Sequence, residues 1–327
     1  MSERGVLERI LPRLRGASAL LGPGDDAALV AAPDGRFVFS VDTVVQDQDF
    51  RLRWPNGRVG TGYDVGWKSA AQNLSDINAM GADATSAVIS LTLPPETAVA
   101  WVEDFADGFS AAVAGLGATR CSIVGGDLGR GREISATTAV TGDLGGRAPV
   151  LRSGARPGDV LAVCGRLGAA AAGLALLESG TGSGTLGDAA RGLVELQCRP
   201  RPPLGSGPRA AASGATAMMD LSDGLERDAP RMARASGVDF DLSAAALAPF
   251  AEALAPAASV LAGDPLRWVL QGGEDFALLA TFPGTAPLPE GFVAIGATTA
   301  GDGAVTLDGS PVEDGGWDHF LPTPRPS

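Results

Sequence analysis

The sequence predicts a two-domain α/β protein whose halves are each α+β layers of mixed sheet and helix. Strand-length apolar runs alternate with helical patterns along the whole chain, without a fixed-period repeat. The 327 residues exceed one ordinary core and suit two. A turn-rich stretch, Leu151-Arg152-Ser153-Gly154-Ala155-Arg156-Pro157-Gly158-Asp159, sets the boundary, giving domains of residues 1–150 and 151–327.

Residues 2–15 read as a short amphipathic helix, followed by the glycine loop Gly22-Pro23-Gly24-Asp25-Asp26 and a strand through Phe37 to Asp42. A polar loop leads to a helix from Thr61, a suitable N-cap, to Met80, with Gly81 as its stop. A β-branched strand from Ala87 to Leu93 ends at Pro94-Pro95. A helix from Glu96 to about Ala114 follows, then a strand at Cys121 to Val124 and another from Glu133 to Thr141. Beyond the boundary the expected order is strand 159–163, helix 168–178, a loop with helical pieces to 213, strand 215–220, helix 223–236 and strand 238–242. Helices near 244–253 and 265–270 and strands near 276–282, 292–296 and 304–308 complete the pattern, with a Pro-rich, disordered tail after Phe320.

Hydrophobic content of 45% with 19% charged residues is that of a globular protein. A formal charge of −13 disfavours nucleic acid and anionic membrane as partners. There is no apolar run of spanning length and the N-terminus is too charged for a signal peptide, so a cytoplasmic location is expected. Cys121, Cys164 and Cys198 are widely spaced and read as ordinary buried thiols. The single histidine, His319, sits eight residues from the C-terminus without a nucleophile motif nearby, which argues against a Ser/His/Asp or Cys/His hydrolase. Gly182-Ser183-Gly184-Thr185-Leu186-Gly187 matches G-x-G-x-x-G but follows a helix, so it reads as a connector.

Three strand-like runs end on aspartate: Asp42, Asp127 after Gly125-Gly126, and Asp220 within Ala217-Met218-Met219-Asp220-Leu221-Ser222-Asp223-Gly224. Asp25-Asp26 and Asp76 add two more acidic sites. Carboxylates at the ends of buried strands repel one another unless cations lie between them, and Mg2+ prefers oxygen ligands shared with phosphates. Convergence of these residues would therefore mean a multi-metal site doing phosphoryl chemistry. Each residue also has a plain reading. Asp25-Asp26 suits a surface turn, Asp42 and Asp127 suit caps at strand ends, and Asp223 suits a helix cap. Lys68, Gln72 and Asp76, at i, i+4 and i+8, form a polar stripe that a solvated helix face explains equally well.

The motifs Gly22-Pro23-Gly24-Asp25-Asp26-Ala27-Ala28, Asp42-Thr43, Asn73-Leu74-Ser75-Asp76, Gly125-Gly126-Asp127, Arg152 to Asp159, Asp220-Leu221-Ser222-Asp223-Gly224 and Gly272-Gly273-Glu274-Asp275-Phe276, ending in Gly316-Trp317-Asp318, occur together and in this order. In this the chain resembles the thiamine-monophosphate kinases of the aminoimidazole-ribonucleotide-synthetase-like superfamily. The resemblance implies that superfamily's two-domain fold, a homodimer formed through the N-terminal domain, and ATP-dependent phosphorylation of thiamine monophosphate to thiamine diphosphate by Mg2+-assisted direct transfer. It implies Mg2+ ligands at Asp26, Ser40, Val41 (through its backbone), Asp42, Asp76, Asp127, Asp220 and Asp223. ATP contacts would come from Gly126, Asp127, Arg152 and Ser222, and acceptor contacts from Glu274 and Trp317. Where the family usually has histidine in a Gly-x-His-Phe segment, this chain has Asp47-Gln48-Asp49-Phe50, so either that contact is lost or Asp49 meets the cationic thiazolium or another metal. Other superfamily activities, in selenophosphate synthetases and hydrogenase-maturation proteins, call for a reactive cysteine or selenocysteine near a terminus, absent here. A non-catalytic ion- or nucleotide-binding regulator is the alternative from another class, separable by turnover.

Overall fold

One helix, Gly62–Ala79, organises the molecule, and nearly all of its side chains are buried. The computed structural model describes Arg9, residues 11–13, 31–312 and 315–317. The expected N-terminal helix, the Asp25-Asp26 loop, His319 and the tail therefore lie wholly or mostly outside the described residues. This helix (α1) starts where the sequence says it should: Thr61 Oγ1 accepts the Asp64 N–H at 3.1 Å, and the Asp64 carboxylate accepts the Thr61 N–H, a capping box. Gly81, with φ of 76°, stops it.

Helix α1 and helix α2 (Val99–Gly115) lie on one face of a four-stranded sheet made of β1 (Val38–Val45), β2 (Asp83–Leu93), β3 (Ser122–Arg130) and β4 (Ser135–Asp143), in the order β1-β4-β2-β3. Their approach is close because glycine lines the contact: a Cβ on Gly66 would stand 2.1 Å from the Phe105 carbonyl oxygen. Gly66→Ala is therefore expected to force the helices apart and to lower stability by about 1–3 kcal/mol or more, read from urea denaturation; an unchanged midpoint would show that the pair tolerates separation.

The second half holds a seven-stranded mixed sheet. Four of its strands matter to the site: β5 (Asp159–Cys164), β6 (Ala217–Leu221), β7 (Val238–Leu242) and β8 (Ala277–Pro283). β6 is an edge strand, paired antiparallel with β8, and its five residues are all buried. On the chain before it lie three helices, α3 (Ala169–Glu178), α4 (Asp188–Cys198) and α5 (Ser206–Ala212); α6 (Leu225–Ser236) follows it. The Gly182 to Gly187 stretch forms a short turn between α3 and α4, as a connector should.

Two strand boundaries depart from expectation. Asp42 and Asp127 stand inside β1 and β3, not at their ends, because both strands continue in register with their neighbours. A capping role for either is therefore excluded. Glycine at 126 is required by packing, since a Cβ there would fall 2.1 Å from the Ile89 carbonyl oxygen of β2.

The two halves meet along α1. Trp67 Nε1 donates to the Pro200 carbonyl at 2.8 Å, Arg199 Nε reaches Asp64 at 2.6 Å, and the Gly207 N–H donates to Asn78 Oδ1 at 2.8 Å. This explains the burial of the polar stripe: Lys68 and Gln72 are 2% and 8% exposed, so the solvated-face reading fails. Lys68 meets Glu274 from the other half and the Asp49 carbonyl from its own.

Candidate active site

Where α1 meets the edge strand β6, two carboxylates from opposite halves face each other. Asp76 Oδ2 accepts the Ser40 hydroxyl at 2.5 Å, and Asp220 Oδ2 accepts the Ser75 hydroxyl at 3.0 Å. Burial raises the Asp76 pKa, opposed by the Ser40 hydrogen bond and the Arg152 charge. Burial pushes Asp220 up to about 8, and the neighbouring Asp76 adds to the shift. Ser236 fixes the Arg152 loop: its hydroxyl donates to the Arg152 carbonyl and accepts the Gly154 and Ala155 N–H groups.

The linkage has a definite sign. Asp220, raised above its ordinary 3.8, contributes stability that is fully present below about pH 4 and is lost as pH rises through about 8. Asp275, pushed by burial to about 7, and Asp228, to about 6, act in the same direction. The metal-free protein should therefore melt at a lower temperature at pH 9 than at pH 6; a melting point that climbs over that range would contradict the burial of these groups.

The all-oxygen set of Asp76, Asp220 and Ser40 suits a hard divalent cation, which would relieve the repulsion that burial has left between the two acids. Among the described residues no three candidate ligand side chains already converge, so phosphate oxygens and water would have to complete the shell. Asp26 lies outside the described residues. Asp42 shares the helix-facing side of the sheet with the buried Thr138 and Ile89, in one row ending at Gly126. Asp127, one residue on, faces the opposite side and lies three strands away, about 14 Å at the usual spacing. No single ion could join Asp42 and Asp127 of one chain. Val41, whose contribution would be its carbonyl, is exposed beside Ser40.

The loop after β6 gathers the remaining candidates. Asp223 pairs with Arg231 at 2.7 Å, and its N–H donates to Asp228, so it does not cap α6. The Glu274 N–H donates to the Ser222 carbonyl at 2.8 Å and the Trp317 N–H to the Asp223 carbonyl at 2.9 Å, which sets both acceptor candidates against one turn. Glu274 adopts φ of 67°, a conformation that non-glycine residues take at a cost. Its carboxylate is clamped, Oε1 by Lys68 Nζ at 2.6 Å and Oε2 by Gln197 Nε2 at 2.7 Å.

Beside that clamp lies a narrow cleft, with a cavity of about 20 Å3, lined by Asp49, Phe50, Trp54, Lys68, Gln197 and Cys198 among others. Asp49 stands at its rim, with Oδ2 accepting the Val45 N–H at 2.7 Å and its carbonyl accepting from Lys68. Sequence reasoning missed Gln197, Phe50 and Trp54 and left Lys68 as background; the one available signal was a lone lysine in a chain otherwise served by arginine. The three cysteines are buried, and burial pushes Cys121 up to about 12 and Cys198 to about 11, the latter despite Arg58 nearby. They are inert thiols.

Two α/β halves joined over a buried and a part-buried carboxylate define the class, and the sequence comparison agrees. Residues 24–144 match the N-terminal domain of the AIR synthase related proteins, and residues 156–272 match their C-terminal domain. The thiamine-monophosphate kinase of Mycobacterium tuberculosis H37Rv is 47% identical over 98% of this chain and 92% of its own, and that of Corynebacterium glutamicum 40% identical over 91% and 88%. The crystal structure of thiamine monophosphate kinase from Aquifex aeolicus superposes with a TM-score of 0.76 at 30% identity, covering 88% of this chain and 92% of that one. The chain belongs to the thiamine-monophosphate kinase family, and it is a kinase. A structure of AaThiL complexed with AMPPCP and TMP also superposes, with a TM-score of 0.76 at 28% identity over 97% and 95% of the two chains. E. coli HypE, a hydrogenase maturation protein at 18% identity, shares the fold alone.

Proposed function

We propose that this protein transfers the γ-phosphoryl group of ATP directly to thiamine monophosphate, giving thiamine diphosphate, with Mg2+ seated at the Asp76–Asp220 junction. The observation that carries this reading is the facing of the part-buried Asp76 and the buried Asp220 across the domain boundary, beside Arg152, with Glu274 held by Lys68 and Gln197 of the neighbouring pocket. Bound Mg2+ would supply charge neutralisation for the transferring phosphoryl group and its leaving oxygen. Asp76 and Asp220 hold their charge at that point, and Ser40 and Ser75 orient them. Arg152 and Ser222, with Gly126 and Asp127, would contact the nucleotide, while Glu274, Trp317 and Asp49 would face the acceptor. The acceptor phosphate is already ionised at neutral pH, so no side chain need act as a strong base; positioning suffices.

The N-terminal domain (1–150) would carry the metal and dimer contacts and residues 151–327 would complete the nucleotide and acceptor site. A homodimer is supported by the face of the four-stranded sheet opposite α1, where Phe37, Phe39, Val41 and Val88 are exposed. Asp127 lies on the same open face, so a second copy would bring it a partner surface. Phe39→Glu is expected to shift the protein to monomer in light scattering; a dimer of undiminished stability would exclude this face.

ATP, Mg2+ and a panel of thiamine and thiamine monophosphate, with products separated by chromatography, test the reaction. Thiamine diphosphate should form from the monophosphate, while free thiamine, lacking the ionised phosphate, stays a poor acceptor. Equal turnover of free thiamine would refute the assignment.

A further inference from the structure

The clamp on Glu274 leaves two hydrogen-bonding groups unused inside the pocket. Gln197 is 2% exposed, and its Nε2 is committed to Glu274 Oε2, a carboxylate oxygen that can only accept. That fixes the amide orientation and leaves Oε1, which is buried and has no hydrogen-bond partner. Lys68, on the other oxygen of the same carboxylate, has three ammonium protons. Glu274 and the Asp49 carbonyl take two, and no further acceptor stands among the described residues. Gln197 with its spare acceptor and Lys68 with its spare donor both line the pocket, as do Phe50 and Trp54, which are each 6% exposed.

A flat heteroaromatic ring with an amine next to a ring nitrogen is the complement of that arrangement. The acceptor's aminopyrimidine has this edge, an exocyclic N–H donor beside a nitrogen acceptor. We propose that Gln197 is a specificity-determining residue, whose Oε1 accepts from the exocyclic amine while the spare Lys68 proton meets the adjacent ring nitrogen. This rests on the acceptor assigned above and extends it to the end of the molecule remote from the reacting phosphate. Glu274 then serves partly as the brace that sets the two side chains in this relation. A buried acceptor left without a donor is a strong basis for rejecting an analogue that lacks one.

The test compares thiamine monophosphate with its analogue bearing a carbonyl oxygen in place of the exocyclic amine, using wild-type protein and Gln197→Met. Wild type should prefer the amine by at least about tenfold in kcat/KM, because the analogue sets oxygen against oxygen. Gln197→Met should shrink that ratio by raising the KM for thiamine monophosphate, with the KM for ATP unchanged. A merely structural glutamine would slow both acceptors alike, and a preserved ratio in the variant overturns the proposal. If Gln197→Met does not fold, the wild-type ratio decides alone, and equal use of the two acceptors overturns it. Phosphorylation of neither acceptor by wild type would instead sink the reading of the reaction, and this proposal with it.

Discussion

Asp220→Asn should lower the rate of thiamine diphosphate formation by at least about a hundredfold while leaving the fold intact, or even more stable in the absence of metal. The side chain is buried at the end of β6, and burial, reinforced by Asp76, holds its pKa near 8. Below that pH the metal-free protein already carries it in a neutral form, so an amide of the same shape disturbs little. What the amide cannot do is become an anion when a cation arrives. Asp76→Asn should behave alike, since Ser40 can donate to an amide oxygen as well as to a carboxylate. The diagnostic result is the pairing of lost turnover with an unchanged or raised melting temperature. Near-normal turnover by both folded variants would reduce these aspartates to structural residues.

The second large effect is expected at the Lys68–Glu274 pair, and it is asymmetric. Lys68 is 3% exposed at its side chain, whereas Glu274 is 28% exposed. Glu274→Ala strands a buried ammonium with only the Asp49 carbonyl for company, at a cost of about 3 kcal/mol, the lower end for breaking a buried pair. Lys68→Met leaves behind a carboxylate that water reaches and that Gln197 still holds, so it should cost less. Combining Lys68→Met with Glu274→Gln should recover much of the stability but not the activity. Urea denaturation of the three variants measures this; a larger loss for Lys68→Met than for Glu274→Ala would reverse the account.

The parts of the fold readable in the sequence are those with local causes. The central helix is one, since Thr61 and Gly81 mark both of its ends, and Val238–Leu242 is another, because the chain turns sharply on either side. Asp42 and Asp127 mislead as strand ends because the pairing that extends β1 and β3 past them comes from β4 and β2, 90–94 and 37 residues away along the chain. The helices Asp188–Cys198, Ser206–Ala212 and Ala255–Leu261 read only as pieces or not at all, being short and held by tertiary packing.

The site divides the same way. Its aspartates announce themselves by motif, yet the facing of Asp76 and Asp220 depends on two halves docking along α1. Gln197 carries no local signal whatever, for its partner is 77 residues distant and its unused oxygen exists only in the folded chain. Lys68 was visible as an oddity but not as a clamp.

Calorimetric titration of Mg2+ into the protein saturated with a non-hydrolysable ATP analogue, in two buffers of different ionisation heat, reaches the central claim directly. With the carboxyl of Asp220 pushed up to about 8, binding near pH 7 must release a proton to the buffer, and affinity must rise as pH rises toward 8. Asp220→Asn should abolish the proton release and weaken the binding. Equal affinity in wild type and variant, with no difference in heat between the buffers, would contradict the seating of Mg2+ at the Asp76–Asp220 junction.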